Sequence, residues 1–409
     1  MSHPLACRTS RVTPATRWTL RKHHLHFHVE NQSQGFVVVT LLFSHTEYLS
    51  INSTPGEKIC FMEALNKPAL LLKSIVPLLK DEYMSIIDVG CSGGIDAFWR
   101  VFEPNLSVCA FDPNLEECDR LQSIEKNPSV RYVPGFVGIE PDHPFLKLTG
   151  GRPFWARNPW NRLAVAATIH HQTEKRKSLT SHELTQINAW DKTRLADLNK
   201  PIFLRSYLAE NRIISVDFLK IDVDGPDFQI LNSIGESFDH LGILGICLEV
   251  NWFGSPHPAD HTFHNVDRYV RKFGFELYDV TMVRYAHAAM PSRYKLNYPA
   301  QSLSGRPLQG DALYLRDLAS EEFHDFSEQL SPQKLLKAVL LFEMVGVPDG
   351  AAELLVKFRH RLEKVIDVEA ALDILVEPQS KTLFGEKMSY QEFMRRFAAD
   401  DPHFYRPSS

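Results

Sequence analysis

The sequence predicts an α/β fold: an open, mostly parallel sheet of seven strands with helices on both faces, followed by an α-helical C-terminal extension. Three observations predict it. From Met84 onwards, short apolar runs alternate with helical stretches, as in a parallel sheet covered on both sides. The first apolar run enters a glycine-rich turn, and the second closes on an acid. After Arg316 the pattern becomes helical only.

Taken in order, residues 1–55 read as an N-terminal arm, poorly ordered. Met1 to Val29 lacks Asp and Glu but holds Arg8, Arg11, Arg17, Arg21 and Lys22, a composition shared with transit peptides. The apolar run Phe36–Phe43 that follows is too short to span a membrane, and no small-residue cleavage site stands out. Glu57 to Lys80 reads as a helix packed across the sheet edge, because Phe61, Met62, Leu65, Leu71, Leu72 and Ile75 recur at helical spacing. The seven strands are Ser85–Val89, Leu106–Phe111, Val130–Val133, Val216–Asp222, Ile243–Val250, Phe275–Val280 and Ala312–Arg316. Helices are expected over Asp96–Phe102, Leu115–Ile124, Phe228–Ile234 and Val266–Phe273. Together these define a domain over residues 56–317.

That domain carries an insertion at about 138–215, with a basic cluster of Arg152, Arg157, Arg162, Lys175, Arg176 and Lys177. It reads either as a solvated surface insertion or as a lid that attracts an anionic group. In residues 318–409, Leu335, Leu336, Val339, Leu340 and Val345 form one apolar stripe. Leu354, Leu355, Phe358, Leu362 and Val365 form a second, and a short helix around Ala370–Val376 follows. Such stripes dock on the sheet domain or on a second copy in a homodimer.

Composition excludes several classes. Of 409 residues 44% are hydrophobic and 23% charged, which suits a soluble globular chain. The net charge of −5 opposes a nucleic-acid protein, whose footprint is basic. No apolar run is long enough for a membrane span. The six cysteines, Cys7, Cys60, Cys91, Cys109, Cys118 and Cys247, lack paired metal-ligand spacing and read as buried thiols in a reducing compartment, the cytoplasm.

Chemistry concentrates first at Asp88-Val89-Gly90-Cys91-Ser92-Gly93-Gly94. A strand running into glycines lets a cofactor approach the backbone without Cβ clashes. Asp112, followed by Pro113 and about 20 residues beyond the glycines, is placed to receive a ribose diol. Nicotinamide-dependent oxidoreductases and methyltransferases share such a turn. Asp88 separates them, since a carboxylate repels pyrophosphate but suits the ammonium of S-adenosylmethionine. The cofactor-binding set is therefore Asp88, Gly90, Cys91, Ser92, Gly93, Gly94, Asp112 and Pro113. The bland reading of Asp88 is a turn cap.

The second dense cluster is Val216 to Asp227. Alternation puts Phe218, Lys220 and Asp222 on one strand face and Leu219, Ile221 and Val223 on the other. Polar residues near the carboxyl end of a central parallel strand need a partner or a role. Asp224 and Asp227 read equally as helix caps and as functional acids. His257, His261 and His264 read as solvated loop residues or as a base or metal group, with His261 and His264 able to share a helical face. His170 and His171 have the same status.

These residues resemble the FkbM-type methyltransferases, a branch of the class I, Rossmann-like S-adenosylmethionine-dependent enzymes. The resemblance rests on Asp88-Val89-Gly90, Phe111-Asp112-Pro113-Asn114, Leu219-Lys220-Ile221-Asp222-Val223-Asp224-Gly225-Pro226-Asp227 and Leu248-Glu249-Val250. Gly274-Phe275-Glu276-Leu277 and Asp311–Arg316 also look familial. It covers roughly Met84 to Arg316. Ser92 stands where many class I enzymes have a glycine, and Asp224 and Asp227 replace the commoner glutamates. The resemblance implies methyl transfer to oxygen, on a hydroxyl of a sugar, glycan or natural product. Asp222 is the leading catalytic residue, with Lys220 and Glu249 beside it. Asp222 and Glu249 could share a divalent ion such as Mg2+; alternatively Glu249 is a buried acid paired with Lys220. The competing readings are a nicotinamide-dependent oxidoreductase and a catalytically silent cofactor-binding module whose tail recruits a partner.

Overall fold

A computed structural model describes residues 70–79, 82–148, 195–197, 200–223, 225–287, 290, 302–399 and 402–404. The N-terminal arm, the basic cluster of the insertion, His170, His171 and Asp224 lie outside the described residues.

Ten strands are described: β1 (Met84–Val89), β2 (Leu106–Asp112), β3 (Val130–Pro134), β4 (Val137–Gly138), β5 (Ile202–Phe203), β6 (Phe218–Ile221), β7 (Gly245–Asn251), β8 (Phe275–Val280), β9 (Val283–Tyr285) and β10 (Arg306–Arg316). The main sheet runs β3-β2-β1-β6-β7-β10-β8, and β9 pairs with β10. Pairs among β3, β2, β1, β6 and β7 are parallel, whereas β10 is antiparallel to β7, β8 and β9. All seven expected strands are present; β9 is an eighth that the sequence reading missed. It was missed because β10 begins at Arg306, six residues before its apolar alternation becomes clear. The expected loop interval also holds order of its own, with β4 and β5 pairing in parallel.

The described helices used below are α1 (Leu70–Ile75), α2 (Leu115–Ile124), α3 (Leu204–Glu210), α4 (Asp227–Gly235), α5 (Phe263–Val270), α6 (Pro332–Met344), α7 (Pro348–Lys357), α8 (Val368–Phe384) and α9 (Tyr390–Ala398). Local chemistry sets their ends. Asn114 caps α2 by accepting from the Glu117 amide at 3.0 Å, and Ser331 caps α6 with Pro332 in its first turn. The helix expected at Asp96–Phe102 is instead a 3-10 helix over Ala97–Phe102. Three residues per turn aligns Trp99 with Phe102, and both are buried. The short helix expected near Ala370–Val376 runs on through Pro378 to Phe384, and α9 folds back on it through Phe384 and Phe393.

Two cores flank the sheet. Ile86 and Phe218 face one side with α1, Trp99 and both tail stripes; Ile87, Leu219 and Ile221 face the other with α3, α4 and α5. The tail stripes are thus buried against the sheet of the same chain. Two lysines of α6 pass beneath the sheet to Asp217, fully buried just before β6. Lys334 Nζ lies 2.6 Å from Asp217 Oδ1 and Lys337 Nζ 3.2 Å from Oδ2, which also accepts from the Ser85 amide at 2.7 Å. At the other end of α6, the Glu343 carboxylate accepts from the amides of Leu71 and Leu72 in α1, at 2.8 and 2.6 Å.

Candidate active site

The chain runs outward from β1 to β2 and β3, then returns to place β6 on the opposite side of β1. Strand order reverses at β1 and β6, and the carboxyl ends of strands at such a point are where open α/β sheets take their ligands. Gly90 to Gly94 leave β1 at that point. Gly90, Gly93 and Gly94 have φ of 96°, 82° and 96°, which a side chain resists. The amides of Gly90 and Cys91 donate to the Phe111 carbonyl, and the Gly93 amide donates to Glu117 Oε1 at 3.2 Å.

Gly90 has a second reason to be glycine. A Cβ there would stand 1.8 Å from the Asp222 carbonyl oxygen, so the end of β6 seals against the turn. Gly90→Ala is expected to lower stability by about 1–3 kcal/mol through backbone strain alone, and to abolish binding of S-adenosylhomocysteine. Thermal unfolding and titration calorimetry check this; a variant that binds normally would show that the turn does not shape the site.

Asp88 is buried on the same sheet face as Lys220, its register partner in β6. Lys220 Nζ lies 3.4 Å from Asp88 and 3.7 Å from Asp96, which follows the glycines. Two carboxylates around one ammonium leave an excess of one negative charge beneath the turn. Sequence reasoning missed Asp96, because the tight 3-10 segment after it decides where its carboxylate goes. Asp112 ends β2, is 6% exposed, and accepts the Asn114 amide on Oδ1 at 2.8 Å. The Pro113 carbonyl accepts from the Ala196 amide at 2.8 Å, tying the far end of the insertion to this corner. Cys91 is fully buried. Its hydrogen bond with Cys118, its burial and the nearby Asp88 and Asp112 push its thiol up, so it stays protonated. Ser92 is partly exposed.

Residues 99–277 match the family described as Methyltransferase FkbM domain. That stretch, and not the chain as a whole, is similar to the FkbM methyltransferases. No curated protein matches it in sequence. Among solved structures it is similar to a SAM-dependent methyltransferase from Aquifex aeolicus, with 9% identity over 62% of this chain and 95% of that one, at a TM-score of 0.25. Magnesium protoporphyrin IX methyltransferase from Synechocystis PCC 6803 with bound SAM gives 9% identity, 61% and 79% coverage, and 0.24. A SAM-dependent methyltransferase from Agrobacterium tumefaciens gives 10%, 60% and 59%, and 0.27.

The FkbM domain has the class I architecture expected of S-adenosylmethionine-dependent enzymes. The Asp88 and Asp96 carboxylates beneath the glycine turn suit the ammonium of that cofactor. Asp222 follows β6, partly buried, its amide donating to the Val89 carbonyl at 2.8 Å. Glu249 occupies the corresponding position on β7, because Ile221 pairs with Leu248. Across its other edge Glu249 faces Asp311 of β10. Among the described residues no group of three His, Cys, Asp or Glu side chains is placed to hold a metal ion.

His264 is exposed, in keeping with the solvated reading, whereas His261 departs from it. His261 is not solvated: its ring Nε2 sits 2.8 Å from the Glu249 carbonyl, and its side chain is 14% exposed. Nor does it share a helical face with His264, since α5 starts at Phe263 after the Thr262 cap position. His264 Nε2 lies 3.3 Å from Thr262 Oγ1. Asp227 is fully buried in the first turn of α4 and accepts from the amides of Val223 and Gly225, at 2.9 and 3.0 Å. Burial pushes its carboxyl up. No sequence signal joins Asp227 to His261, because the contact spans two strand ends.

Proposed function

We propose that this protein moves a methyl group from S-adenosylmethionine to a hydroxyl of a sugar, glycan or natural product. The observation that carries the reading is the meeting of three features at the carboxyl ends of neighbouring strands: the glycine turn, Asp112 at the tip of β2, and Asp222 sealed against Gly90. Gly90 to Gly94, with Cys91 and Ser92 among them, would hold the methionine part, aided by the excess negative charge of Asp88, Asp96 and Lys220. Asp112, its exit fixed by Pro113, would receive the ribose hydroxyls. The bound cofactor supplies a methyl group on a positively charged sulfur.

In this reading Asp222 receives the acceptor's hydroxyl proton as the oxygen forms its bond to the methyl carbon; the electrons of the broken carbon–sulfur bond stay on sulfur, leaving a neutral thioether. General-base help of this kind matters because a protonated alcohol is a weak nucleophile. Lys220 supports the turn from below, since its ammonium lies at Asp88 and Asp96. Glu249 lines the acceptor side at the next strand end. The homodimer expectation used the same tail stripes that pack on the sheet, so we place the tail within the catalytic unit and not as a recruiting arm. No described helix is long and apolar enough to cross a membrane. The burial of Cys91, Cys109, Cys118 and Cys247 supports a reducing compartment, the cytoplasm.

Titration calorimetry separates this reading from an oxidoreductase: S-adenosylmethionine is expected to bind and a nicotinamide dinucleotide is not. The reverse result would end the proposal. Transfer of labelled methyl groups into glycolipid and oligosaccharide extracts separates it from a silent module, which would bind but transfer nothing.

A further inference from the structure

We propose that His261 is a positioning residue that latches the Asp222 turn to β7, an inference that rests on the role of Asp222 given above. β6 and β7 pair only as far as Ile221 and Leu248, so the strands part just where Asp222 and Glu249 begin. Beyond that point a strand carbonyl has lost its ladder partner and needs another. The Glu249 carbonyl is met by His261 Nε2 at 2.8 Å. A carbonyl can only accept, so Nε2 carries the proton. The other ring nitrogen, Nδ1, faces Asp227 Oδ2 at 3.9 Å.

Asp227 in turn holds the turn itself, through the amides of Val223 and Gly225. The imidazole therefore stands between a β7 carbonyl, to which it donates, and the carboxylate that accepts from the Val223 and Gly225 amides. With the Asp222 carbonyl pressed on Gly90 from the opposite side, the bend is gripped from both directions. Both ring nitrogens point inward, which sets His261 apart from a base that touches the acceptor.

The loop that delivers His261 is itself built to stay in place. Asp260 is 3% exposed and accepts from the Ser255 amide. Asn265 Nδ2 donates to the carbonyls of both His257 and Asp260, each at 2.8 Å. Trp252 stacks on Phe263 with centroids 4.5 Å apart, closing the loop at its base. A residue held this firmly can transmit position, because fixing a reacting group to within a fraction of an ångström is what makes it effective.

The test uses the full chain with His261→Ala and His261→Gln. A glutamine amide can still donate to the Glu249 carbonyl, so it is the conservative variant. Hydrogen exchange at the Val223 and Gly225 amides is expected to quicken by about tenfold in His261→Ala, to return to within about threefold of wild type in His261→Gln, and to stay unchanged in β10. In the wild type, nitrogen-15 spectra should show the His261 Nε2 proton in place, a reading that needs no variant to fold. S-adenosylhomocysteine should bind His261→Ala within about twofold of wild type, since the latch serves the acceptor side. Unchanged exchange at the turn, an equal rise in β10 without rescue by glutamine, or an unprotonated Nε2 would each overturn the assignment. Failure of wild type to bind S-adenosylhomocysteine would instead refute the methyltransferase reading, leaving the exchange result to stand for the latch.

Discussion

Replacing Asp222 by Asn is expected to lower methyl transfer by about 10²–10⁴-fold, the usual range for loss of a positioned general base. Binding of S-adenosylhomocysteine should change little, because in the proposed mechanism the Asp222 side chain serves the acceptor while its backbone keeps its contacts. The Asp222 amide would still donate to Val89, and its carbonyl would still seat on Gly90. Asn keeps the shape and removes the proton-accepting charge. The measurement is labelled-methyl incorporation into the extract fraction that the wild type modifies, at saturating cofactor. Wild-type transfer by Asp222→Asn would remove this residue from the chemistry and leave alignment alone to account for the rate.

Asp217→Ala is expected to destabilise the fold by about 3–5 kcal/mol, the cost of leaving buried charge without its partner. The change strands Lys334 and Lys337 together, 8% and 4% exposed, and removes the acceptor of the Ser85 amide. Lys334 is already shifted downward by burial, with Asp217 pulling against that shift, so losing Asp217 frees the burial effect to act alone. Denaturant unfolding checks the magnitude. Adding Lys334→Met and Lys337→Met to Asp217→Ala should recover part of the loss, since apolar side chains tolerate the site that ammonium groups do not. A loss below about 1 kcal/mol for Asp217→Ala would mean that water reaches these amines and that the cluster does not anchor the tail.

Much of this was legible before any coordinates. The alternation of apolar runs gave β1, β2, β3, β6, β7 and β8 nearly to the residue, because strands buried on both faces leave little choice of composition. The glycines marked the turn correctly, although part of their reason lay elsewhere: Gly90 answers to the Asp222 carbonyl as much as to any ligand. What stayed hidden depended on residues far apart in sequence. Asp96 joins Lys220 across 124 positions, and His261 meets Asp227 across 34, through strand ends that only the sheet order brings together. Asp217 drew no role from the sequence, because nothing local announces lysines arriving from α6. The extension of α8 past Pro378 was missed for a simpler reason, since proline ordinarily marks a boundary.

The Glu343 bond to α1 links residues more than 270 positions apart, and the apolar face of β1 and β6 is roofed by helices near the end of the chain. During synthesis on a ribosome, the strands emerge well before their cover does. A nascent chain stopped after Arg316 therefore presents a bare greasy surface to water and calls for a chaperone until α6, α7 and α8 have been made.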